Sequence, residues 1–410
     1  MHNHNHMKIM SIVGARPNFM KVASIASAVD RYNAANGFPK IVHIIVHTGQ
    51  HYDEQMSDLF FRELEIPKPH YNLEVGSGSH AVQTAQIMEY FEPVLLAEQP
   101  DVLLVVGDVN STIACSLVAA KIQYPGANGK KRPLIAHVEA GLRSLDRDMP
   151  EEINRILTDA LSDLLFVTED EAVTNLGNEG ISKEKIHFVG NVMIDTLISH
   201  VEKARVLSTL ADIVNKRDNR HELNQLTASS DLNKFNYGVV TLHRPSNVDT
   251  PEALEALMNC LKKIASRIPL IFPLHPRTRN NLMQFGFLQS DGQNQNIIYT
   301  KPLGYLDFLN LLLNATLVLT DSGGIQEETT FLRVPCITLR NNTERPVTVT
   351  MGTNYLVGTD QDKILNTAFA VIDGNQKEGH IPPLWDGKAS DRIIDILSRH
   401  MINAGAIGAF

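Results

Sequence analysis

Short apolar runs alternate with longer amphipathic stretches in both halves of the chain. Several runs are rich in Val, Ile and Leu without polar alternation, which is typical of parallel strands buried on both faces. The stretches between them, such as 84–98 and 152–161, have helical spacing. This alternation predicts an α/β fold with two Rossmann-like domains built on parallel sheets. The predicted strands span 8–13, 41–46, 102–106, 134–138, 164–167 and 186–189 in the first half, and 237–242, 270–274, 297–299, 315–320 and 334–338 in the second.

The alternation breaks after Gly190-Asn191, and this break predicts the domain boundary. We expect an N-terminal domain at 7–190, a C-terminal domain at 191–386 and a last helix at about 387–410 that returns to the first domain. Residues 1–6 (MHNHNH) resemble a purification tag more than a native metal site.

Composition and charge narrow the classes of protein. A chain of 410 residues, 43% hydrophobic and 20% charged, suits two globular α/β domains. The net charge of −9 argues against nucleic-acid and anionic-membrane partners. No apolar run is long enough to span a membrane, and no secretion signal is recognisable. The cysteines lack CxxC spacing, so we expect a reducing, cytoplasmic location and no structural zinc site.

A predicted strand followed by a glycine turn and a helix occurs in each half. GARPN (14–18) carries Arg16, with Lys21 close behind, and DSGG (321–324) carries a serine and two glycines. The unpaired N–H groups at such a helix N-terminus bind anions. The two turns therefore predict a diphosphate-bearing ligand held between two domains, with its charge matched by these cations and not by a metal.

Ionisable side chains stand at or near the ends of predicted strands. Asp108 and Glu139 follow strands directly, Glu151 opens a helix, and His243 follows the first strand of the second half. Because ligands bind outside the carboxyl ends of strands in open α/β sheets, we expect these groups to face the ligand and to share proton transfer. The alternatives are an Asx turn for Asp108, a helix N-terminal acid for Glu151 and a structural hydrogen bond for His243.

Nine motifs follow one another over nearly the whole chain from Met7: GARPNFMK (14–21), TGQH (48–51), GDVNST (107–112), HVEAGLRS (137–144), MPEEINR (149–155), GNVMIDT (190–196), HRPSNVD (243–249), DSGGIQEE (321–328) and TERP (343–346). Together these motifs resemble the non-hydrolysing UDP-N-acetylglucosamine 2-epimerase family. The resemblance implies a glycosyltransferase-B-like fold, with the active site in the interdomain cleft.

The resemblance implies a role for each matching residue. The catalytic positions are Asp108, Glu139, Glu151 and His243. The substrate-binding positions are Arg16, Lys21, Arg155, Leu303, Phe308, Ser322, Gly323, Gly324, Glu328 and Arg345. Among these, Glu328 would hold the ribose, and Leu303 and Phe308 would lie around the uracil. Some bacterial members bind a second UDP-GlcNAc as an allosteric activator, at positions that match Gln50, His51 and His275. No NAD is needed, because no carbon is oxidised, and no metal is expected, because Arg16, Lys21 and the helix N-termini match the phosphate charge.

The implied reaction interconverts UDP-GlcNAc and UDP-ManNAc by anti elimination of UDP to 2-acetamidoglucal and re-addition. A cytoplasmic homodimer supplying cell-surface polysaccharide precursors is expected. The segment GLRSLDRDMPEE (141–152) also resembles a sister group acting on UDP-2,3-diacetamido-uronic acids, so that substrate stays open. A hydrolysing epimerase is a further alternative. The three acids count against a glycosyltransferase, and their presence together with the histidine counts against a catalytically silent UDP-sugar sensor.

Overall fold

The computed structural model describes residues 6–50, 61–125, 132–215, 236–288 and 296–407. The chain divides into two compact units, the first comprising Met1–Ser199 with Pro383–Phe410 and the second His200–Pro382. Each unit is an α/β sandwich around a parallel sheet, so the predicted α/β class with two parallel sheets is confirmed. No helix in the described ranges has the length and apolarity needed to cross a bilayer.

The described part of the first unit contains one parallel sheet flanked by helices. Its strands are β1 (His6–Val13), β2 (Lys40–His47), β3 (Tyr71–Asn72), β4 (Val102–Val106), β5 (Leu134–Ala140), β6 (Leu164–Val167) and β7 (Ile186–Phe188). Its helices up to the boundary are α1 (Arg16–Ala34), α2 (His80–Glu98), α3 (Asn110–Lys121), α4 (Pro150–Leu161), α5 (Asp170–Asn178) and α6 (Val192–Arg205), the last of which runs across the boundary. The strand order is β3-β2-β1-β4-β5-β6-β7.

The second unit repeats this plan. Its strands are β8 (Gly238–Thr241), β9 (Leu270–Pro273), β10 (Ile297–Thr300), β11 (Leu317–Thr320), β12 (Cys336–Thr338) and β13 (Asn354–Leu356). Its helices are α7 (Thr209–Asn215), α8 (Pro245–Val248), α9 (Pro251–Ala265), α10 (Pro276–Gln284), α11 (Tyr305–Leu313), α12 (Gly323–Leu332), α13 (Val347–Thr350) and α14 (Gln361–Ile372). The order β10-β9-β8-β11-β12-β13 is again that of a Rossmann sheet.

In each sheet the strand order reverses beside the first strand of the unit. The reversal falls between β1 and β4 in the first unit and between β8 and β11 in the second. In parallel α/β sheets, ligands bind outside the carboxyl ends of the strands at this switch point. The predicted turns at 14–18 and 321–324, and the strand-end residues Asp108 and His243, all lie beyond these four strands.

The first unit extends past the predicted limit at residue 190 because most of α6 packs on it. Asp195 in α6 accepts the backbone N–H groups of Ala389 at 3.2 Å and Ser390 at 2.7 Å. These residues begin the C-terminal helix α15 (Ala389–Ile407), so Asp195 caps that helix. At the other end of the chain, residues 1–5 lie outside the described residues, and His6 already pairs with Lys40 in the sheet.

Candidate functional site

A single amide side chain organises the turn between β1 and α1. Asn18 Oδ1 accepts the backbone N–H groups of Gly14 and Ala15, both at 3.1 Å. Its Nδ2 donates to the carbonyl of Val106 at 3.1 Å, at the end of β4. Asn18 therefore ties together the two strand ends at the switch point. The role of Asn18 was not predicted from the sequence, which pointed to Arg16, the first residue of α1. The available signal was the position of Asn18 as the third residue of the helix, where a side chain can cap the N-terminus.

Gly14 is required by close approach of neighbouring side chains. A Cβ at this position would lie 2.0 Å from Ser111 Oγ and 2.8 Å from Thr48 Oγ1. We expect Gly14→Ala to lower the free energy of unfolding by about 1–3 kcal/mol through overpacking, as measured by urea unfolding. The control is Gly177→Ala in α5, where a Cβ meets nothing within 4 Å and should be neutral or stabilising. Equal stability of the two variants would contradict this explanation.

Glu139 and Lys21 form a buried ion pair at the end of β5. Lys21 Nζ lies 2.5 Å from Glu139 Oε2, and the two side chains are 4% and 3% exposed. Gly107 lies against this pair, since a Cβ there would be 2.8 Å from Lys21 Nζ. Breaking a buried ion pair is costly, which holds the two groups together in the absence of substrate. The predicted contact of Lys21 with phosphate stays a prediction, because the structure places its ammonium on Glu139.

The backbone at Glu139 is strained. Its φ is +72°, in the left-handed region that favours glycine, and the register of β5 against β6 shifts between Val138 and Ala140. A bulge of this kind redirects one side chain at the end of a strand. Left-handed conformations of non-glycine residues cost of order 1–3 kcal/mol and cluster at functional sites. Among the predicted catalytic acids Asp108, Glu139 and Glu151, only Glu139 has a positive φ.

Arg155 joins two carboxylates. It forms a short ion pair with Asp108, and its Nη2 and Nε donate to Glu152 Oε2 at 2.7 and 3.0 Å. Glu152 also accepts the backbone N–H groups of Ser144 and Leu145, both at 3.0 Å. Burial opposes ionisation of Glu152, but these hydrogen bonds and Arg155 hold its pKa below the ordinary value. Glu152 was not predicted; it anchors the loop before α4 and orients the arginine that meets Asp108.

Glu151 lies next to Glu152 in the first turn of α4 and is half-buried. Its carboxylate makes no ion pair or hydrogen bond with another residue of the described ranges. Of the two adjacent acids, Glu152 is thus fully hydrogen-bonded within the protein, whereas Glu151 remains accessible to a ligand. Its catalytic role stays a prediction.

In the second unit His243 is held by a buried carboxylate. His243 Nδ1 lies 2.8 Å from Asp321 Oδ1, and Asp321 also accepts the backbone N–H groups of His243 and Arg244. Burial opposes ionisation of Asp321, but the hydrogen bond and charge of His243 outweigh it and lower its pKa. A carboxylate on Nδ1 fixes the proton there and leaves Nε2 for a ligand. Asp321 was predicted only as part of a glycine turn; its position at the end of a buried strand was the signal for a pairing role.

The turn at 322–324 opens α12 beside an arginine. A Cβ on Gly323 would lie 2.6 Å from Arg345 Nη1 and 2.6 Å from Glu344 Oε1, so a side chain there would displace this buried pair. Arg345 Nε is 3.0 Å from Glu327 Oε1, and its Nη1 is 2.5 Å from Glu344 Oε1. These two acids fix the guanidinium at the helix N-terminus. A fixed cation and a positive helix end at one place suit a phosphate group.

Glu328 is a buried acid in the middle of α12. Burial raises its pKa to about 8; a hydrogen bond from Tyr305 lowers it and the charge of Glu327 raises it. Leu303 and Phe308 are partly buried and pack on the hydrophobic cluster beneath α11. The predicted ribose and uracil contacts therefore belong to one unit, and their roles stay predictions.

The three positions predicted for an allosteric site differ in what the structure shows. Gln50 is buried, and its Oε1 accepts the backbone N–H of Ser111 at 3.0 Å and its hydroxyl at 2.7 Å, near the start of α3. His51 lies outside the described residues. His275 caps α10 by accepting the N–H of Arg277 at 3.2 Å. Ligand binding at these positions stays a prediction.

Both units thus place charged groups at the switch point of a Rossmann sheet. The first offers carboxylates with paired cations, and the second offers a histidine–aspartate pair and an arginine at a helix N-terminus. In the described ranges no group of three or more His, Cys, Asp or Glu side chains is placed to hold a metal ion. This combination is typical of enzymes that act on nucleotide-linked substrates through proton transfer.

Comparison with known proteins identifies the family. The UDP-N-acetylglucosamine 2-epimerase family matches residues 33–398, so the chain belongs to this family and is an epimerase, as its motifs predict. A UDP-N-acetylglucosamine 2-epimerase of Methanocaldococcus jannaschii is 41% identical over 395 residues, which cover 96% of this chain and 99% of the relative. The crystal structure of the M. jannaschii enzyme in complex with UDP-GlcNAc and UDP has a TM-score of 0.82 and covers 96% of this chain and 100% of that chain.

A second kind of relative differs in its substrate. A UDP-2,3-diacetamido-2,3-dideoxy-D-glucuronate 2-epimerase of Pseudomonas aeruginosa is 39% identical over 397 residues, which cover 96% of this chain and all of the relative. The two identities are nearly equal, so overall similarity does not separate the two sugars.

Proposed function

We propose that this protein interconverts UDP-GlcNAc and UDP-ManNAc. The observation that carries the proposal is the buried Lys21–Glu139 ion pair, in which Glu139 has a left-handed backbone at the end of a strand. A strained, buried carboxylate with a cationic partner suits proton transfer better than support of the fold. The M. jannaschii relative, whose crystal structure holds UDP-GlcNAc and UDP, supports the choice of sugar.

The chemistry requires a base and a stabiliser of positive charge. The C2 hydrogen beside an N-acetyl group is not acidic, so the anomeric C–O bond must break in the same phase of the reaction. The C2–H electron pair then forms the C1=C2 double bond of 2-acetamidoglucal, and the C1–O pair leaves with UDP. Carboxylates stabilise the positive charge at C1 and the ring oxygen, as in glycoside cleavage. Protonation of the other face of C2 and re-addition of UDP complete the epimerisation.

The first unit would supply the groups for proton transfer. Glu139 is the leading candidate, because its carboxylate is buried at the end of β5 on a strained backbone. Asp108, oriented by Arg155, and the accessible Glu151 are the candidates for the second proton transfer and for stabilising C1. One carboxylate would remove the C2 proton from one face of the sugar, and the other would protonate C2 from the opposite face. This would invert C2 without a redox step.

The second unit would bind UDP. The N-terminus of α12 and the guanidinium of Arg345 suit the diphosphate, with the predicted help of Arg16. His243 presents Nε2 while Asp321 holds Nδ1, so a proton on Nε2 can be donated to the departing diphosphate. Glu328 is proposed to accept the ribose hydroxyls.

The test is proton NMR of UDP-GlcNAc with the protein in deuterium oxide. Appearance of UDP-ManNAc with deuterium at C2 supports the proposal. Free N-acetylmannosamine with stoichiometric UDP would make the protein a hydrolysing epimerase. Transfer of the sugar to an acceptor would make it a glycosyltransferase. Binding of UDP-sugars without any turnover would make it a sensor.

The second candidate function is 2-epimerisation of a UDP-2,3-diacetamido-uronic acid. This candidate is supported by the 39% identity to the P. aeruginosa enzyme, which is nearly as high as the 41% identity to the M. jannaschii relative. The same NMR experiment with that sugar separates the two, because the preferred substrate should exchange its C2 proton with the higher kcat/KM. A homodimer, a cytoplasmic location and a role in polysaccharide precursor synthesis stay predictions; sedimentation velocity tests the first.

Binding of UDP is expected to release a proton from Glu328. With its pKa raised to about 8, Glu328 is mostly protonated at neutral pH. Ribose hydroxyls donate to the ionised carboxylate and therefore lower this pKa on binding. The affinity for UDP should accordingly rise as the pH rises toward 8. Calorimetry in buffers of different ionisation enthalpy measures the release, which Glu328→Gln should abolish; an enthalpy independent of the buffer in the unsubstituted protein would exclude this linkage.

A further inference from the structure

His137 lies on β5 two residues before Glu139 and is completely buried. Its Nδ1 is 2.6 Å from Asp159 Oδ1, and its Nε2 is 2.8 Å from the carbonyl oxygen of Gly107. Both partners are acceptors. A neutral imidazole carries one N–H donor and one bare nitrogen, so it would turn a lone pair toward one of these oxygens. The two short contacts therefore require a proton on each ring nitrogen.

The ion pairs around His137 hold its partner Asp159 in place. Arg143 Nη2 donates to Asp159 Oδ2 at 2.7 Å and to Glu179 Oε2 at 2.7 Å. Asp159 is fully buried, whereas the Glu179 side chain is 35% exposed. With a protonated His137, two cations face these two carboxylates. Burial opposes the ionisation of Asp159, but His137 and Arg143 outweigh it and hold its pKa below the ordinary value.

Asp159 forms hydrogen bonds on both sides of Glu139, at the end of β5. Its Oδ1 holds His137, and its Oδ2 accepts the backbone N–H of Gly141 at 3.0 Å. These two residues flank the bulge at which Glu139 has a φ of +72°. A strained backbone persists only where its surroundings over-determine it. Asp159, on α4, supplies that constraint.

The other ring nitrogen of His137 reaches the neighbouring strand end. The Gly107 carbonyl that it contacts immediately precedes Asp108. Gly107 also lies against Lys21, the partner of Glu139. One imidazolium thereby links the strand end that carries Glu139 with the strand end that carries Asp108.

We propose that Asp159 and a doubly protonated His137 are positioning residues for the epimerase reaction, and that they fix Glu139 and Asp108 in the geometry for proton transfer at C2. This inference rests on the proposed function. Neither residue touches the reacting atoms. Their effect is on the placement of the two carboxylates, where an error of about 1 Å costs on the order of 10²-fold in rate.

The first test measures which ring nitrogens of His137 carry a proton. In the full-length protein labelled with ¹⁵N-histidine, the resonance of His137, assigned by its loss in His137→Gln, should show a proton on both nitrogens at neutral pH. A single protonated nitrogen would overturn the proposal. This measurement needs no substrate, so it stands apart from success or failure of the proposed activity.

The second test is Asp159→Asn. The amide oxygen must turn to the two donors Gly141 and Arg143, so its N–H₂ faces His137 Nδ1 and the imidazole becomes neutral. Neutral hydrogen bonds are about half as strong as charge-assisted ones, so the strand end relaxes. We expect kcat to fall on the order of 10²-fold with KM unchanged, for whichever UDP-sugar the wild-type enzyme epimerises.

The matched control is Asp163→Asn. Asp163 accepts the N–H of Ile135 at 2.9 Å and pairs with Arg132 at the opposite end of β5, with no contact to Glu139 among its described partners. Its kcat should stay near the wild-type value. A wild-type kcat in Asp159→Asn, or an equal loss in both variants, would overturn the positioning role. If Asp159→Asn does not fold, His137→Gln replaces it, since glutamine reproduces the donor to Gly107 and not the one to Asp159.

Discussion

Glu139→Gln is expected to lower kcat for exchange of the C2 proton by about 10²- to 10⁴-fold, the usual contribution of a general base. Glutamine keeps the shape of the side chain and removes its negative charge and its ability to take a proton. Lys21 loses its counter-charge in this variant, so folding must be checked by circular dichroism. Deuterium incorporation at C2, followed by proton NMR, measures the rate.

The control is a second lysine–glutamate pair in the same unit. Lys8 Nζ lies 3.0 Å from Glu98 Oε2, and both side chains are partly exposed. Glu98→Gln makes the same chemical change in a pair near the amino ends of β1 and β4, away from the carboxyl ends that carry the site, and should leave kcat unchanged. If Glu139→Gln exchanges the C2 proton as fast as Glu98→Gln, Glu139 is not the base.

Lys21→Met is expected to have the largest effect on stability. It removes the ammonium that faces the buried carboxylate of Glu139, and such losses cost about 3–5 kcal/mol in the free energy of unfolding. Methionine keeps much of the apolar stem, so the change reports on charge more than on packing. Guanidinium unfolding monitored by circular dichroism measures it.

Two further variants decide whether the ion pair is the cause. Lys8→Met removes the partly exposed pair with Glu98 and should cost at most about 1 kcal/mol. The double variant Lys21→Met/Glu139→Gln removes both buried charges and should be more stable than the sum of the two single losses predicts. The Lys21–Glu139 pair would not be energetically coupled if the losses in the free energy of unfolding of the two single variants were additive. The same conclusion would follow if Lys21→Met cost no more than Lys8→Met.

Strands were predictable from the sequence where they are buried on both faces. Val102–Val106 has the same limits in the prediction and in the structure, because a continuous apolar run ends at a glycine. The edge strands Tyr71–Asn72 and Asn354–Leu356 were not predicted. They are short and partly polar, and each depends on hydrogen bonds from the neighbouring strand, β2 for β3 and β12 for β13.

For the candidate site, the sequence predicted which residues end strands but not how they pair. Asp108, Glu139 and His243 stand directly after apolar runs, which is a local signal. The pairing of Glu139 with Lys21, or of His243 with Asp321, joins residues far apart in the chain and follows from the order of strands in the sheet. The buried polar groups that surround these pairs carry no local signal, since a buried Asp looks the same as a solvated one in a helix.

The chain leaves the first unit in α6 and returns to it only at Pro383. During synthesis the second unit, His200–Pro382, is therefore complete before the first one can be. Domains usually fold in order from the N-terminus. Here the first unit is completed last, because Asp195 caps α15, which is synthesised at the end of the chain. A nascent chain stopped before residue 383 would contain every residue of the second unit and an unfinished first one.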